Sequence, residues 1–368
     1  MIVIDKVQLY ELELPLKSAF ATSQGVYKIR NTLIVELITV DGLVGYGECE
    51  AFADPWYTEE TVETEVAVLK RSIIPFLKGQ PWQSPSHFAE SIKWIKRHNF
   101  AKAGVEMALW DIYSQQQNKT ISQLIGGTRE QIDVGVVLGL SEDIKQIVKQ
   151  IEQYQQFGYK RYKIKIKPNM DERIISAIRD KYPSLPLMVD ANSAYTLNDI
   201  ELLKRLDQYQ LMMIEQPLGE TDFLDHQILQ QHISTPICLD ESIHSYEDAR
   251  LAITLKSCKI INIKLGRVGG LTESVKIHDL CKAHQIPLWV GGMLETGIGR
   301  IHHIVLASMA QFTIAGDISA SEKYWEHDII KPAVTVNEGK IKVPKQPGLG
   351  VNLNKAQLHA YLKHSIIL

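Results

Sequence analysis

Cysteine is scarce: Cys49, Cys238, Cys258 and Cys281 are scattered along 368 residues. That spacing supplies neither a disulfide framework nor a thiolate zinc site, so reduced, mostly buried thiols are expected. Charge of one sign is also lacking. The formal net charge of -3 gives no electrostatic reason to expect nucleic acid or an anionic membrane as partner. No apolar run approaches the roughly 20 residues needed to cross a bilayer. The opening Met1-Ile-Val-Ile-Asp-Lys6 lacks the basic region, apolar segment and cleavage site of a secretory leader. A soluble, cytoplasmic protein is the expectation. Apolar residues at 45% and charged residues at 23% are those of an ordinary globular chain. Its length calls for two domains, or a large barrel with a cap.

The chain changes character near Gly126-Gly127. Before it, residues 3–14 and 31–40 read as strands, Asp41-Gly42 marks a turn, and Val44-Gly-Tyr-Gly-Glu-Cys49 resumes extended character. A loop is expected at 18–25, and helices at about 61–77 and 85–117. After it, eight short apolar runs follow, at 134–138, 159–166, 185–189, 210–214, 236–239, 259–263, 287–290 and 312–315. Most intervals carry a helical pattern. Strands alternating with helices imply parallel units, and eight of them imply a closed (β/α)8 barrel of the TIM type. The expected organisation is an α+β capping domain over 1–125, the barrel over 126–320, and a C-terminal segment, 321–368, that returns to the cap.

The strongest signal is positional. Lys165, Asp190, Glu215, Asp240 and Lys264 lie 25, 25, 25 and 24 residues apart, and each closes an apolar run. One βα unit takes about this many residues, so five successive strands carry an ionisable group at the same height. In this fold that height is the catalytic rim. A single lysine on a strand is usually a solvated face, and a single carboxylate a cap or surface charge. Five evenly spaced matches are hard to obtain from independent surface charges.

Two aspartates and a glutamate supply hard oxygen ligands without imidazole or thiolate, a set suited to Mg²⁺ or Mn²⁺. Lysines flank the trio. Such a site can bind a carboxylate and stabilise the enediolate left when its α-proton departs. A lysine base requires its pKa to fall from about 10.4 towards roughly 7–8, through burial and cationic neighbours. In Arg161-Tyr-Lys-Ile-Lys-Ile-Lys167 four cations share one face. Lys165 keeps the interval to Asp190, and Lys163 is expected one step deeper. Asp240 and Glu241 should point to opposite faces, with Asp240 the ligand and Glu241 behind it. Asn192 and Gln216 are candidates for orienting the ligands, or for plain loop hydrogen bonding.

These residues resemble the enolase superfamily, and within it the muconate-lactonizing-enzyme subgroup. The resemblance extends over almost the whole chain, including Ala103-Gly-Val-Glu-Met-Ala-Leu-Trp-Asp-Ile112 and Leu124-Ile-Gly-Gly127. It implies that Lys163 and Lys165 form the Lys-x-Lys motif with Lys165 as base, that Asp190, Glu215 and Asp240 bind the metal, and that Lys264 faces the substrate from the opposite side. Three segments point to the branch of o-succinylbenzoate synthases and N-succinylamino acid racemases: Lys264-Leu-Gly-Arg-Val-Gly-Gly270, Gly291-Gly-Met-Leu-Glu-Thr-Gly-Ile-Gly299, and Gly316-Asp-Ile-Ser-Ala-Ser321 running on to Tyr324-Trp325.

Within that branch Arg267 would tune Lys264, unless it is a surface ion pair. Gly291, Gly292 and Met293 would line a succinyl site, or form ordinary turns. Loops 17–25 and 51–60 would close over the rim, with Phe20, Trp56 and Tyr57 walling in the substrate; a loop folded on its own apolar residues is the alternative. Asp317-Ile-Ser319 stands where dipeptide epimerases carry Asp-x-Asp, which argues against that specificity while leaving Asp317 and Ser319 as substrate contacts. No histidine stands in Trp289-Val-Gly-Gly-Met293, so His284 and His302 read as structural.

The implied reaction is dehydration of 2-succinyl-6-hydroxy-2,4-cyclohexadiene-1-carboxylate to o-succinylbenzoate, a menaquinone-pathway step, with N-succinylamino acid racemisation as a second activity on the same residues. The expected partner is a small carboxylate bearing a succinyl group, and a homo-oligomer is compatible with the sequence. An epimerase, a muconate cycloisomerase and a non-catalytic ligand-binding barrel stay open at this point.

Overall fold

A computed structural model describes residues 1–21, 25–139, 141 and 143–368; the side chains of residues 20 and 21 lie outside that description. Strands Ile2–Ala21, Val26–Thr39 and Val44–Cys49 form an antiparallel sheet, and the C-terminal strand Leu362–Ile367 pairs along the free edge of the first. Alternate residues of one face, among them Leu9, Val35 and Leu37, pack with Ala101, Val105 and Ala108 of helix Asn99–Gln117. That helix rests backbone to backbone on the third strand. A Cβ at Gly47 would collide with the Gly104 carbonyl, which explains the two glycines in Val44-Gly-Tyr-Gly47.

Two local expectations change. The helical pattern at 85–117 is two helices, Pro85–Ser91 and Asn99–Gln117, because Arg97 and His98 adopt left-handed backbone that no helix continues through. The loop expected from Ser18 starts later, since the first strand runs to Ala21; residues 22–24 lie outside the described residues.

Seven parallel strands follow in sequence order: Val136–Leu138, Tyr162–Lys165, Leu187–Asp190, Ile214–Glu215, Ile237–Leu239, Ile260–Ile263 and Leu288–Val290. The eighth apolar run is not a regular strand. Residues 311–317 are nevertheless stitched to both edges of the sheet. Ile314 and Asp317 donate backbone N–H to Leu288 (3.3 Å) and Val290 (2.9 Å), and Gly135 donates to Gly316 (2.8 Å). This segment closes the barrel. Gly316 crosses so near the seventh strand that a Cβ would stand 2.7 Å from the Val290 carbonyl oxygen.

Each strand is buried on both faces, which is why the runs read as nearly continuous apolar sequence. Outward residues such as Ile164, Val189 and Leu239 pack in the core shared with the helices. Inward, Met188, Met213, Cys238, Ile260 and Trp289 form a separate apolar floor. The ionisable rim stands above that floor.

Candidate active site

Period two carries the inward face of each strand from floor to rim. Met188 leads to Asp190, Met213 to Glu215 and Cys238 to Asp240. Lys165, Asp190 and Lys264 therefore line one cavity, with Glu215 and Asp240 buried beside them. Lys163 Nζ lies 3.0 Å from Glu215, 3.2 Å from Asp190 and 2.6 Å from Asp317. Lys165 Nζ donates to Asp190 at 3.0 Å and to Asn192 Oδ1. Across the cavity Lys264 Nζ donates to Asp240 at 2.8 Å and to the Tyr57 hydroxyl at 2.8 Å.

Electrostatics follow from this alternation of sign. Burial works against the charge on Lys163, but Asp317, Glu215 and Asp190 outweigh it and hold its pKa well above the ordinary value. Lys264 is likewise raised, because Asp240 and Tyr57 outweigh burial. Asp190 is buried yet held below the usual range, since Lys165 and Lys163 outweigh desolvation. Glu215 is pushed up to about 8 by burial and by Asp190. Glu241 rises to about 7 through burial, Asp240 and Asp190.

The surrounding residues have distinct placements. Asn192 bridges the two sides, accepting from Lys165 and donating to Glu241 at 2.8 Å. Gln216 accepts the Asp240 backbone N–H at 3.0 Å, so it positions the strand end and not the carboxylate. Both have positive φ, 42° and 37°, the kind of backbone that concentrates at functional strand ends. Glu241 lines the cavity alongside Asp190 and Lys264. The fifth strand ends at Leu239, so the alternation expected to turn Glu241 away no longer operates there. Arg267 is 1% exposed and grips Asp240, the Asn262 carbonyl and the Tyr57 hydroxyl. A surface pair it is not.

Gly292, Met293, Trp56, Tyr57 and Asp317 line the cavity. Gly291 has another use. A Cβ there would stand 2.8 Å from Lys264 Cε, so glycine leaves the lysine its path. Ser319 is buried and meets Lys323 Nζ at 3.5 Å, outside the cavity lining. The Phe20 side chain lies outside the described residues. Phe52 and Trp56 pack at 4.5 Å between ring centroids, and Tyr27 stacks on Trp56 at 5.0 Å, so the 51–60 loop both folds on its own aromatics and walls the cavity. His302 is buried beneath Tyr46 and His284 is exposed.

Sequence reasoning passed over Arg161, which is fully buried, holds Asp317 and stacks 4.8 Å above Trp289. Its parity with Lys163 was the available signal. It also missed a sealed network where the cap meets the barrel. Glu48 accepts from Thr296 and Gly299, while His303 Nε2 lies 2.9 Å from Glu50.

Among the described residues no three His, Cys, Asp or Glu side chains stand as a ready metal cage, because ammonium groups lie between the carboxylates. The donor chemistry nonetheless fits a hard divalent cation. Asp190, Glu215 and Asp240 offer only oxygen, and the buried Glu241 Oε2 has no hydrogen-bond partner.

Fold and site together define a capped barrel with opposed lysines around acidic strand ends. Two family models match: the mandelate racemase / muconate lactonizing enzyme N-terminal domain over residues 4–126, and the enolase C-terminal domain-like family over 146–357. The chain belongs to this family of the enolase superfamily. It is 51% identical to an o-succinylbenzoate synthase of Bacillus subtilis (strain 168), over 98% of this chain and 97% of that one. An N-succinylamino acid racemase of Thermus thermophilus is 41% identical, covering 95% of each chain. A solved enolase-superfamily structure from Listeria innocua superposes with a TM-score of 0.97 at 43% identity, over 100% of this chain and 99% of the other.

Proposed function

We propose that this chain dehydrates 2-succinyl-6-hydroxy-2,4-cyclohexadiene-1-carboxylate to o-succinylbenzoate, in the cytoplasm, as a step towards menaquinone. The observation that carries the reading is the pair Lys165 and Lys264, on the second and sixth strands, facing one cavity across a row of carboxylates. Lys165 takes the proton α to the ring carboxylate. The same ammonium then delivers it to the departing hydroxyl, so one C–H and one C–O bond break, water leaves and the ring becomes aromatic. Lys264 steadies the enediolate from the other face. Asp190, Glu215 and Asp240 would hold Mg²⁺ or Mn²⁺, which supplies electrophilic stabilisation of the substrate carboxylate when bound. Residues 1–125 and the C-terminal strand Leu362–Ile367 act as the cap over a barrel of 126–320; the rest of 321–368 does not return to the cap as a whole, since Lys340–Lys342 pairs with Gln131–Asp133 of the barrel unit.

A second reading has its own support. Arg267, fixed beside Lys264, accompanies 41% identity to an N-succinylamino acid racemase. On such substrates Lys165 and Lys264 would serve the two enantiomers in turn. Dipeptide epimerisation is disfavoured, since the Asp317 carboxylate is already engaged by Lys163 and Arg161. The test is an ultraviolet assay of o-succinylbenzoate formation with Mg²⁺, Mn²⁺ or chelator, beside α-proton exchange of N-succinylamino acids in deuterium oxide. Metal-dependent product formation is expected. Turnover of neither substrate would overturn the reading.

A further inference from the structure

The circular order of the strands leaves one arc of the cavity without the carboxylates of the ladder. Lys165 and Lys264 stand on the second and sixth strands, and the carboxylates of the third to fifth fill the arc between them. The other arc is made by the seventh strand, the closing segment and the first strand, while Phe52, Trp56 and Tyr57 of the cap line the cavity as well. Met293, Leu294, Val137 and Tyr324 form the wall of the cavity on that other arc.

Four cations are gathered at this wall. Arg161 and Lys163 are tied to Asp317, and Arg300 to Glu295. Lys323 is different. Among the described residues its acceptors are neutral: the Val137 carbonyl oxygen at 3.3 Å and Ser319 Oγ at 3.5 Å. Its ammonium also lies 5.2 Å from the centre of the Tyr324 ring and 5.6 Å from that of Tyr154. Both hydrogen bonds are longer than the roughly 2.7–2.9 Å of a charged donor on a carboxylate. A half-buried ammonium with long contacts to neutral groups has unspent capacity for an anion. Burial, aided by Arg300, Arg161 and Lys163, lowers its pKa to about 7 despite Asp317, so an arriving negative charge would favour its protonated form.

We infer that Lys323 selects for a carboxylate at the remote end of the substrate, its charge acting across the thin wall made by Tyr324 and Val137. The inference rests on the proposed activity towards succinyl compounds. A purely architectural alternative exists, because the bond to Val137 also ties the segment after the closing strand to the first strand.

The two separate by comparing N-succinylamino acids with neutral succinamoyl counterparts in wild type, Lys323→Met and Lys323→Arg. Lys323→Met should lose about tenfold or more in kcat/KM on the charged substrate, through KM, with the neutral one nearly unchanged. Lys323→Arg should keep the preference. Equal losses on both substrates would assign Lys323 to architecture and overturn the inference, as would no change on either. If wild type turns over neither, the underlying activity falls as well.

Discussion

Two clusters of buried charge lie a short way apart in this molecule, and they are built to opposite ends. At the barrel mouth, cations and carboxylates alternate around a cavity, with Lys163, Lys165 and Lys264 each on an acidic neighbour. At the joint between cap and barrel, Glu48, Glu50 and His303 are fully buried with no part in the cavity lining. Buried charge alone therefore does not mark a reaction site. What distinguishes the mouth is that its groups face space a substrate can enter, while those of the joint are spent on holding helix Gly297–Ala307 against the third strand of the cap.

The largest effect that would sharpen this contrast is loss of a rim lysine. Lys165→Ala or Lys264→Ala should lower kcat by about 10²–10⁴-fold. The thermal midpoint should move little, because Asp190 keeps Lys163 and Asp240 keeps Arg267. Activity within a few-fold of wild type would break the assignment. The reverse pattern is expected at the joint. His303→Ala leaves Glu50 buried and uncompensated, and should cost about 3–5 kcal/mol in chemical denaturation with kcat of the folded fraction retained.

The smallest effect is a pH dependence to which both clusters contribute, the mouth through Glu215 and Glu241, raised to about 8 and about 7, and the joint through groups that a single substitution can isolate. His303 is raised to about 9, Glu50 and Glu295 outweighing burial, and Glu48 to about 7 by burial and Glu50. A raised folded pKa contributes stability that is full below the unfolded values, 6.5 for histidine and 4.5 for glutamate, and is lost as pH rises through 9 and 7. Asp190 is depressed, so its contribution is present above 3.8 and is lost on acidification. Thermal midpoints should thus decline between about pH 6.5 and 9 in wild type, and Glu50→Gln should reduce that slope, leaving the share owed to Glu215 at the mouth and the acid limb in place. A slope unchanged by Glu50→Gln would remove the joint as its source.

The difference between the clusters also explains what could be read in advance. The ladder from Lys165 to Lys264 was legible because one βα unit repeats about every 25 residues, and the repeat places like positions at like heights. Glu48, Glu50, Glu295 and His303 carry no such period. The partners of Glu48 and Glu50 are Thr296 and His303, far away along the chain, and nothing local indicates that these groups will be buried together. Glu241 was misread for a related reason: the period of two holds only as far as the strand does, and the strand stops at Leu239.

By itself the sequence determined the strand-and-helix alternation, the rim lysines and acids, and the family to which they belong, since each depends on spacing along the chain. Only the tertiary structure decided which charges oppose one another. It closed the barrel through an irregular segment, spared Gly291 for the passage of Lys264, and set Arg161 and Arg267 on Asp317 and Asp240. Those outcomes depend on distances across the barrel, which no local pattern encodes.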